Sequence, residues 1–200
     1  RLRLREETLT GTLESLLTGK SDLALGVSMD GSTYAGFQAL PLGEVPFVFA
    51  VAPHHPLASA PEPLSDQLIA QHRAVAVADT TQRGSGVSIG LLSGQDVLTV
   101  PTMQHKLLAQ LRGMACGFLP LPMALPHIEV GRLVIRQTQR PPRIARTAYA
   151  WRSQQNPLQP ATAATASVQG KALQWWLSRL ANEHTRRALH CYSHPQEIPL

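Results

Sequence analysis

The sequence predicts an α/β protein of two lobes with a cleft between them, and three observations carry that prediction. The first is the stretch from Leu16 to Gly26, which reads as the end of an amphipathic helix, a glycine stop at Gly19, and a short apolar strand entered through Asp22. An αβ step of that kind belongs to an open parallel sheet, where ligands sit beyond the carboxyl ends of the strands. The second is a repeat of the step far downstream, where a helix opening at Pro101-Thr102 closes at Gly113 and leads into Cys116-Gly117-Phe118-Leu119-Pro120. The third is a pair of apolar crossings, near residues 45–53 and 149–153. They make the middle of the chain an inserted lobe, so that 1–52 and 153–200 form the first lobe and 53–152 the second. Two crossing strands over a cleft are the build of a domain that closes on a ligand.

The elements follow in order. Leu2 and Leu4 alternate with Arg1, Arg3 and Arg5, the period of a half-buried strand. Thr8 or Thr10 is placed to cap a helix with Leu9, Leu13, Leu16 and Leu17 on one face. A strand is predicted over 22–27, and 28–42, rich in glycine and small polar residues, reads as a loop with room for one short extended piece. The run 45–52 is continuously apolar and suits a central strand buried on both faces. His54 and His55 end it, a short helix follows over 64–70 with Ser65 or Asp66 at its start, and a strand over 74–78 carries Asp79-Thr80-Thr81 off its carboxyl end. After a loop over 82–95 come a strand at 97–100, the helix from Pro101 with Met103, Leu107, Leu108 and Leu111 at helical spacing, and a strand at 116–120. A helix over 123–130, a strand over 133–136 and a returning strand over 145–152 complete the crossing. Residues 156–170 are rich in Ala, Thr and Pro and read as a loop. The longest helix is predicted over 171–189, with Leu173, Trp176, Leu177 and Leu180 inward.

Composition bounds the function classes. The chain has 200 residues, 44% apolar and 16% charged, and no stretch approaches the apolar length of a membrane helix. Its start carries no signal-peptide pattern and reads as a strand entered abruptly, so an upstream segment is expected. Of the two cysteines, Cys116 lies in an apolar run and reads as a buried, reduced thiol; such sparse cysteine use fits the cytoplasm. The net charge of +5 is spread along the chain, and its densest cluster, Arg140, Arg143 and Arg146, is broken by prolines and reads as a solvated connection. No basic stripe with interleaved aromatics is present to grip nucleic acid.

Four motifs in order resemble the effector-binding domain of LysR-type transcriptional regulators. Leu17-x-Gly19-x-x-Asp22-x-Ala24-Leu25 resembles that family's early helix-to-strand step, and His55-Pro56-Leu57-Ala58 its crossing motif. The run from Gly113 to Pro120 resembles its glycine-rich turn and strand ending in Leu-Pro, and Gly131-Arg132-Leu133 its Gly-x-Leu before the last strand of the second lobe. Ala115 departs from the family, which usually has a second glycine there, and the loop over 156–170 is longer than the family's. The resemblance implies the two-lobed fold of type 2 periplasmic binding proteins and a small-molecule effector captured between the lobes. It also implies a homodimer or tetramer in the cytoplasm, with DNA contacted through an N-terminal helix-turn-helix domain outside this chain. A rival sharing the fold is an extracytoplasmic solute-binding protein of a transporter.

The lining of such a cleft comes from strand ends and the helix starts after them. That selects Val27, Ser28 and Met29 from the first lobe, and Thr80, Thr81, Pro101, Thr102, Met103, Pro120 and Leu121 from the second, as effector-binding residues. Thr102 can hold an anion at a helix N-terminus or serve as a plain cap, and one residue can do both. The two methionines offer a soft apolar wall, although Met103 equally suits the core. A planar or carboxylated metabolite suits threonine hydroxyls beside methionine and proline walls, while the lack of an arginine clamp disfavours a strongly anionic effector. An enzyme is not expected: Gly84-Ser85-Gly86 lacks the spacing of a serine elbow, the same run lacks a phosphate-loop lysine, and no paired carboxylates are positioned. No metal or other cofactor is expected either; His54 and His55 point apart, and His190, Cys191 and His194 suit a solvated tail better than a zinc site.

Overall fold

A computed structural model describes residues 2–28, 36–82, 86–152 and 170–190. Met29, Ser85, the loop over 156–170 and the cluster of His190, Cys191 and His194 lie outside these, apart from the backbone of His190. In chain order the elements are α1 (Gly11–Leu17), β1 (Leu23–Ser28), β2 (Phe37–Val51), a 3-10 turn (Pro56–Ala58), α2 (Asp66–Ala70), β3 (Ala74–Val77), β4 (Val97–Val100), α3 (Met103–Leu111), β5 (Gly117–Pro120), α4 (Leu121–Glu129), β6 (Val134–Arg136), β7 (Arg143–Arg152), α5 (Lys171–Leu180) and α6 (Glu183–His190). Two compact units result: Arg1–Gly11 with Val45–Ala145, and Thr12–Glu44 with Arg146–Leu200. Residues 1–11 and 45–52 thus group with the middle of the chain, where the sequence reading had set the lobe boundary at 52.

In the unit of 12–44 and 146–200, Leu16 of α1 is fully buried against Ala24, Val27, Ala148 and Ala150. The helix ends as the glycine predicted: Gly19 adopts φ +71°, its N–H donates to Leu16 O, and Ser21 N–H reaches back to Ser15 O. The open parallel sheet expected of this αβ step is not what forms. β1 pairs antiparallel with β7, Leu23 opposite Trp151 and Val27 opposite Ala148, and the register slips at Gly26. The neighbour that covers β1 is the strand returning along the chain, and a returning strand runs the opposite way. A second core gathers Leu42, Tyr149, Trp151 and Leu180, with Leu173 and Leu177 packed on it. The single helix expected over 171–189 is two, broken at Ala181-Asn182; Asn182 Oδ1 accepts from His184 N–H (2.8 Å), and Arg186 Nη1 donates to Leu180 O and Ala181 O (2.7 and 2.8 Å). Those contacts satisfy the ends that an unbroken helix would have joined.

In the unit of 1–11 and 45–145, the far half of β2 pairs antiparallel with β5 (Phe49 opposite Phe118) and with β6 (Ala50 opposite Ile135). Within the run 45–52 the residues are buried from Phe49 onward, so the cover expected on both faces is met there alone. The extended piece allowed within the expected loop over 28–42 is longer than expected, for β2 already begins at Phe37. β3, buried throughout, pairs in parallel with β4, Ala74 opposite Val97 and Val77 opposite Val100. On its other side β3 meets the lead-in to β5 in parallel: Val75 N–H donates to Cys116 O (3.0 Å) and Cys116 N–H to Arg73 O (2.9 Å). The crossing motif serves as structure: His55 Nδ1 accepts from Leu57 N–H (3.2 Å), capping the 3-10 turn, and Leu57 is fully buried with Phe49, Val51, Leu64, Ile69 and Cys116.

Two further expectations are corrected here. Leu2 and Leu4 do not form a strand; they are 63% and 87% exposed, and no ladder partner is recorded for them among the described residues. Without a ladder the alternation has no face to bury. Of the arginines over 140–146, Arg146 is exposed as expected, while Arg140 and Arg143 are partly buried and anchored. Arg140 Nε pairs with Asp66 (2.7 Å), the Arg143 guanidinium lies 4.8 Å from the Phe47 ring centroid, and Arg146 Nε pairs with Glu44 (3.2 Å).

Candidate functional site

Because β3 runs parallel to β4 on one side and to the lead-in of β5 on the other, the carboxyl ends of the three strands share one edge. That edge carries Ala78 to Thr81, Pro101 to Met103, and Pro120 with Leu121. It therefore brings together Thr80, Thr81, Pro101, Thr102, Met103, Pro120 and Leu121. Val27 and Ser28 belong to the other unit, where the Val27 side chain is core, and Met29 is outside the described residues.

At the end of β3 the polar groups are committed to one another. Thr80 Oγ1 accepts from Thr8 N–H (2.9 Å) and donates to Thr8 O (3.2 Å), while Thr8 Oγ1 donates to Ala78 O (2.5 Å). The fit is close: a Cβ at Gly11 would stand 2.0 Å from Thr80 Oγ1, so only glycine fits there. The Asp79 carboxylate is the hub. It accepts from Gly11 N–H (3.1 Å), Thr81 N–H (3.0 Å), Val87 N–H (3.1 Å) and Thr10 Oγ1 (2.5 Å). Its partial burial opposes ionisation, yet the hydrogen bonds from Thr10, Val87, Thr81 and Gly11 win and hold it below the usual carboxylate range. Thr8 and Thr10 were expected to cap α1; both hydroxyls are spent on the end of β3 instead. The sequence named Asp79 as a strand end but held no sign that four donors converge on it.

At the end of β4, Thr102 is the N-cap of α3. Its Oγ1 accepts from His105 N–H (3.2 Å), and the hydroxyl lies 2.8 Å from His105 Nδ1. Pro101 is exposed, and Met103 packs on the cluster of Ala50, Leu107, Leu119, Ala124 and Leu133. Of the residues expected at helical spacing on α3, Met103, Leu107 and Leu111 pack on one cluster while Leu108 is 39% exposed, and Lys106, Ala109 and Gln110 are buried as well. Gln110 Nε2 donates to Ala50 O (2.6 Å) and Gly117 O (2.9 Å), tying α3 to β2 and β5. At the end of β5, Pro120 holds the N-cap position of α4 with no side-chain hydrogen bond.

Two groups behind this edge titrate away from their ordinary values. Burial pushes the Cys116 thiol up to about 11, so it stays protonated, an unreactive packing residue. Burial, followed by repulsion from Arg143, lowers Lys106 to about 8. A cavity of about 20 Å³ lined by Phe49, Ile69, Ala74 and Cys116 has room for one water and no effector. Among the described residues no cluster of three or more His, Cys, Asp or Glu could hold a metal, and no helix is long and apolar enough to cross a membrane.

Residues 1–172 match the LysR substrate binding domain family. The chain belongs to that family. It is 37% identical over 134 residues to the HTH-type transcriptional regulator YeeY of Escherichia coli K12, an alignment covering 67% of this chain and 43% of YeeY. The chain thus spans under half the length of that relative. Among solved structures, full-length LysG of Corynebacterium glutamicum matches 94% of this chain and 57% of its own length at 20% identity, with a TM-score of 0.58. LysG with bound effector Arg matches 78% of this chain and 53% of its own length at 21% identity, with a TM-score of 0.51. These likenesses show the fold of LysR regulatory domains, periplasmic-binding-protein-like and mixed α/β.

Proposed function

We propose that this chain is the ligand-sensing part of a LysR-type regulator. A small-molecule effector is held at the carboxyl edge of β3, β4 and β5, and the regulator's grip on DNA changes in response. The observation that carries the reading is that edge. Three strands end together, and α3 and α4 begin there, the usual place for a ligand in a fold of this kind. In this reading Thr102 is a positioning residue: it fixes the first turn of α3, while Thr81, Pro101, Met103, Pro120 and Leu121 surround the ligand. An effector shifts the regulator only by its differential affinity for two states. DNA binding, the homodimer or tetramer and a cytoplasmic address belong to the whole regulator and are part of the proposal. In this reading the effector is bound and released unchanged.

The test has two parts. A metabolite panel is screened against the 200-residue chain by ligand-observed NMR, and bound compounds are recovered and weighed by mass spectrometry. Saturable binding with intact recovery supports sensing; conversion of the compound to product overturns it in favour of an enzyme. Sequencing the gene upstream of the Arg1 codon decides the class. A helix-turn-helix supports the regulator, and a cleavable apolar leader supports a solute-binding protein instead.

A further inference from the structure

Three stretches of chain far apart in sequence meet at the end of β3: residues 8–11, residues 78–81 and residues 86–87. Thr8 and Thr80 exchange a reciprocal pair of bonds, and Thr8 Oγ1 adds one to Ala78 O. Asp79 Oδ1 is shared by Gly11 N–H (3.1 Å) and Thr81 N–H (3.0 Å), and Oδ2 by Val87 N–H (3.1 Å) and the Thr10 hydroxyl (2.5 Å). The stretches are also pressed together. A Cβ at Gly11 would stand 2.9 Å from the Thr80 carbonyl carbon, and one at Gly86 3.2 Å from Asp79 Cβ. Groups that satisfy one another in this way lose several partners at once when any stretch lifts away, so they part together.

The junction also sits where the chain crosses. Gly11 is the first residue of α1 and the last of its unit, because the other unit begins at Thr12. Thr81 belongs to the candidate edge, and its N–H shares one carboxylate oxygen with Gly11 N–H. Asp79 therefore stands between a residue of the edge and the residue at which the chain leaves the unit.

We propose that residues 8–11, 78–81 and 86–87 form a latch that opens as one body, and that the first turn of α1 opens with it. Closed, the latch holds the start of α1 against the end of β3; open, it frees the passage at 11–12. A ligand that draws on Thr81 alters the oxygen that also holds Gly11, so its differential affinity for the closed and open latch carries binding into α1. That use in signalling rests on the effector-sensing reading, whereas the latch itself does not.

Native-state hydrogen exchange of the 200-residue chain, followed by NMR at low urea and with no ligand present, reads the latch amide by amide. In the wild type the amides of Gly11, Ser15, Thr81 and Val87 are expected to share one opening free energy and one urea slope, both below those of Arg112 N–H, which donates to Leu108 O in α3. T8V removes the bond to Ala78 O and touches neither Asp79 nor its four donors. It should speed exchange at all four amides by about 5-fold, as loss of one hydrogen bond predicts, and leave Arg112 unchanged. Unequal opening free energies at Gly11, Thr81 and Val87, or a T8V effect as large at Arg112 as in the latch, would overturn the single body. A Ser15 amide that does not follow the other three would overturn the release of α1. Should T8V fail to fold, the wild-type free energies decide alone. The measurement contains no effector, so its failure leaves the sensing reading standing, and a panel without binders leaves the latch standing.

Discussion

Replacing Asp79 by asparagine tests whether the carboxylate organises the end of β3. In the wild type one oxygen serves Gly11 N–H and Thr81 N–H, and the other serves Val87 N–H and the Thr10 hydroxyl. An asparagine has one acceptor oxygen. In its better orientation the oxygen keeps Gly11 and Thr81, the Thr10 hydroxyl turns to accept from the new NH2, and Val87 N–H is left facing a donor. One bond is lost and the rest fall from charge-assisted to neutral, worth about 0.5–1 kcal/mol each in a protected site. Asp79 is only half-buried, so solvent replaces part of this. The expected loss at pH 7 is about 2 kcal/mol, or about 4–8 °C in Tm for a chain of this size. The sign of the pH dependence follows from the lowered folded-state value. The carboxylate contributes its full stabilisation above the unfolded value of about 3.9, and loses it as pH falls through the folded one. Urea unfolding of wild type and D79N from pH 7 to pH 2 should therefore show a gap that closes at the acid end. A gap under about 0.3 kcal/mol at pH 7, or one equally wide at pH 2, would refute the hub.

Three more outcomes are expected. T102V removes the cap on His105 N–H, lowers stability by about 1 kcal/mol and weakens any effector found, whereas T102S keeps both; calorimetric binding and melting of the two variants check this. G113A places a Cβ 2.3 Å from His54 Nε2 at φ +67°, and should cost about 1–3 kcal/mol while breaking the His54–Arg112 O bond, read as a shifted His54 ring signal. Burial, followed by the nearby His72 and His54, holds His55 below the usual imidazole range in the fold. The unfolded chain then binds the extra proton more readily, so this residue's contribution to stability declines as pH falls below about 6.5 and levels off below the folded value. NMR titration of His55 beside urea midpoints from pH 8 to pH 5 checks the sign.

Local pattern alone located most elements and the family. The glycine stop at Gly19, the cap residues Ser65 and Thr102, and the strands at 74–77 and 97–100 are set by φ freedom, side-chain acceptors and apolar runs, all of which act within a few residues. The four motifs were legible for the same reason, and Leu57, Leu119 and Leu133 within them are buried. At the site, sequence placed seven residues on strand ends, and parallel pairing of β3 with its two neighbours brought them to one edge. What each side chain does there was settled only by long-range partners. Thr8 and Thr10 became clasps and not caps because Ala78 and Asp79, about 70 positions away, offer better acceptors. β1 lies antiparallel because its partner is the distant β7, and strand direction is a property of the pair. Lys106 is inward because Gly117 leaves it room, and a residue that depends on the absence of another's side chain leaves no mark in its own periodicity. Propensity, capping and apolar spacing act along the chain and can be read there. Pairing direction, hydrogen-bond commitment and the burial of a charge depend on groups far apart in sequence, so only the tertiary structure decides them.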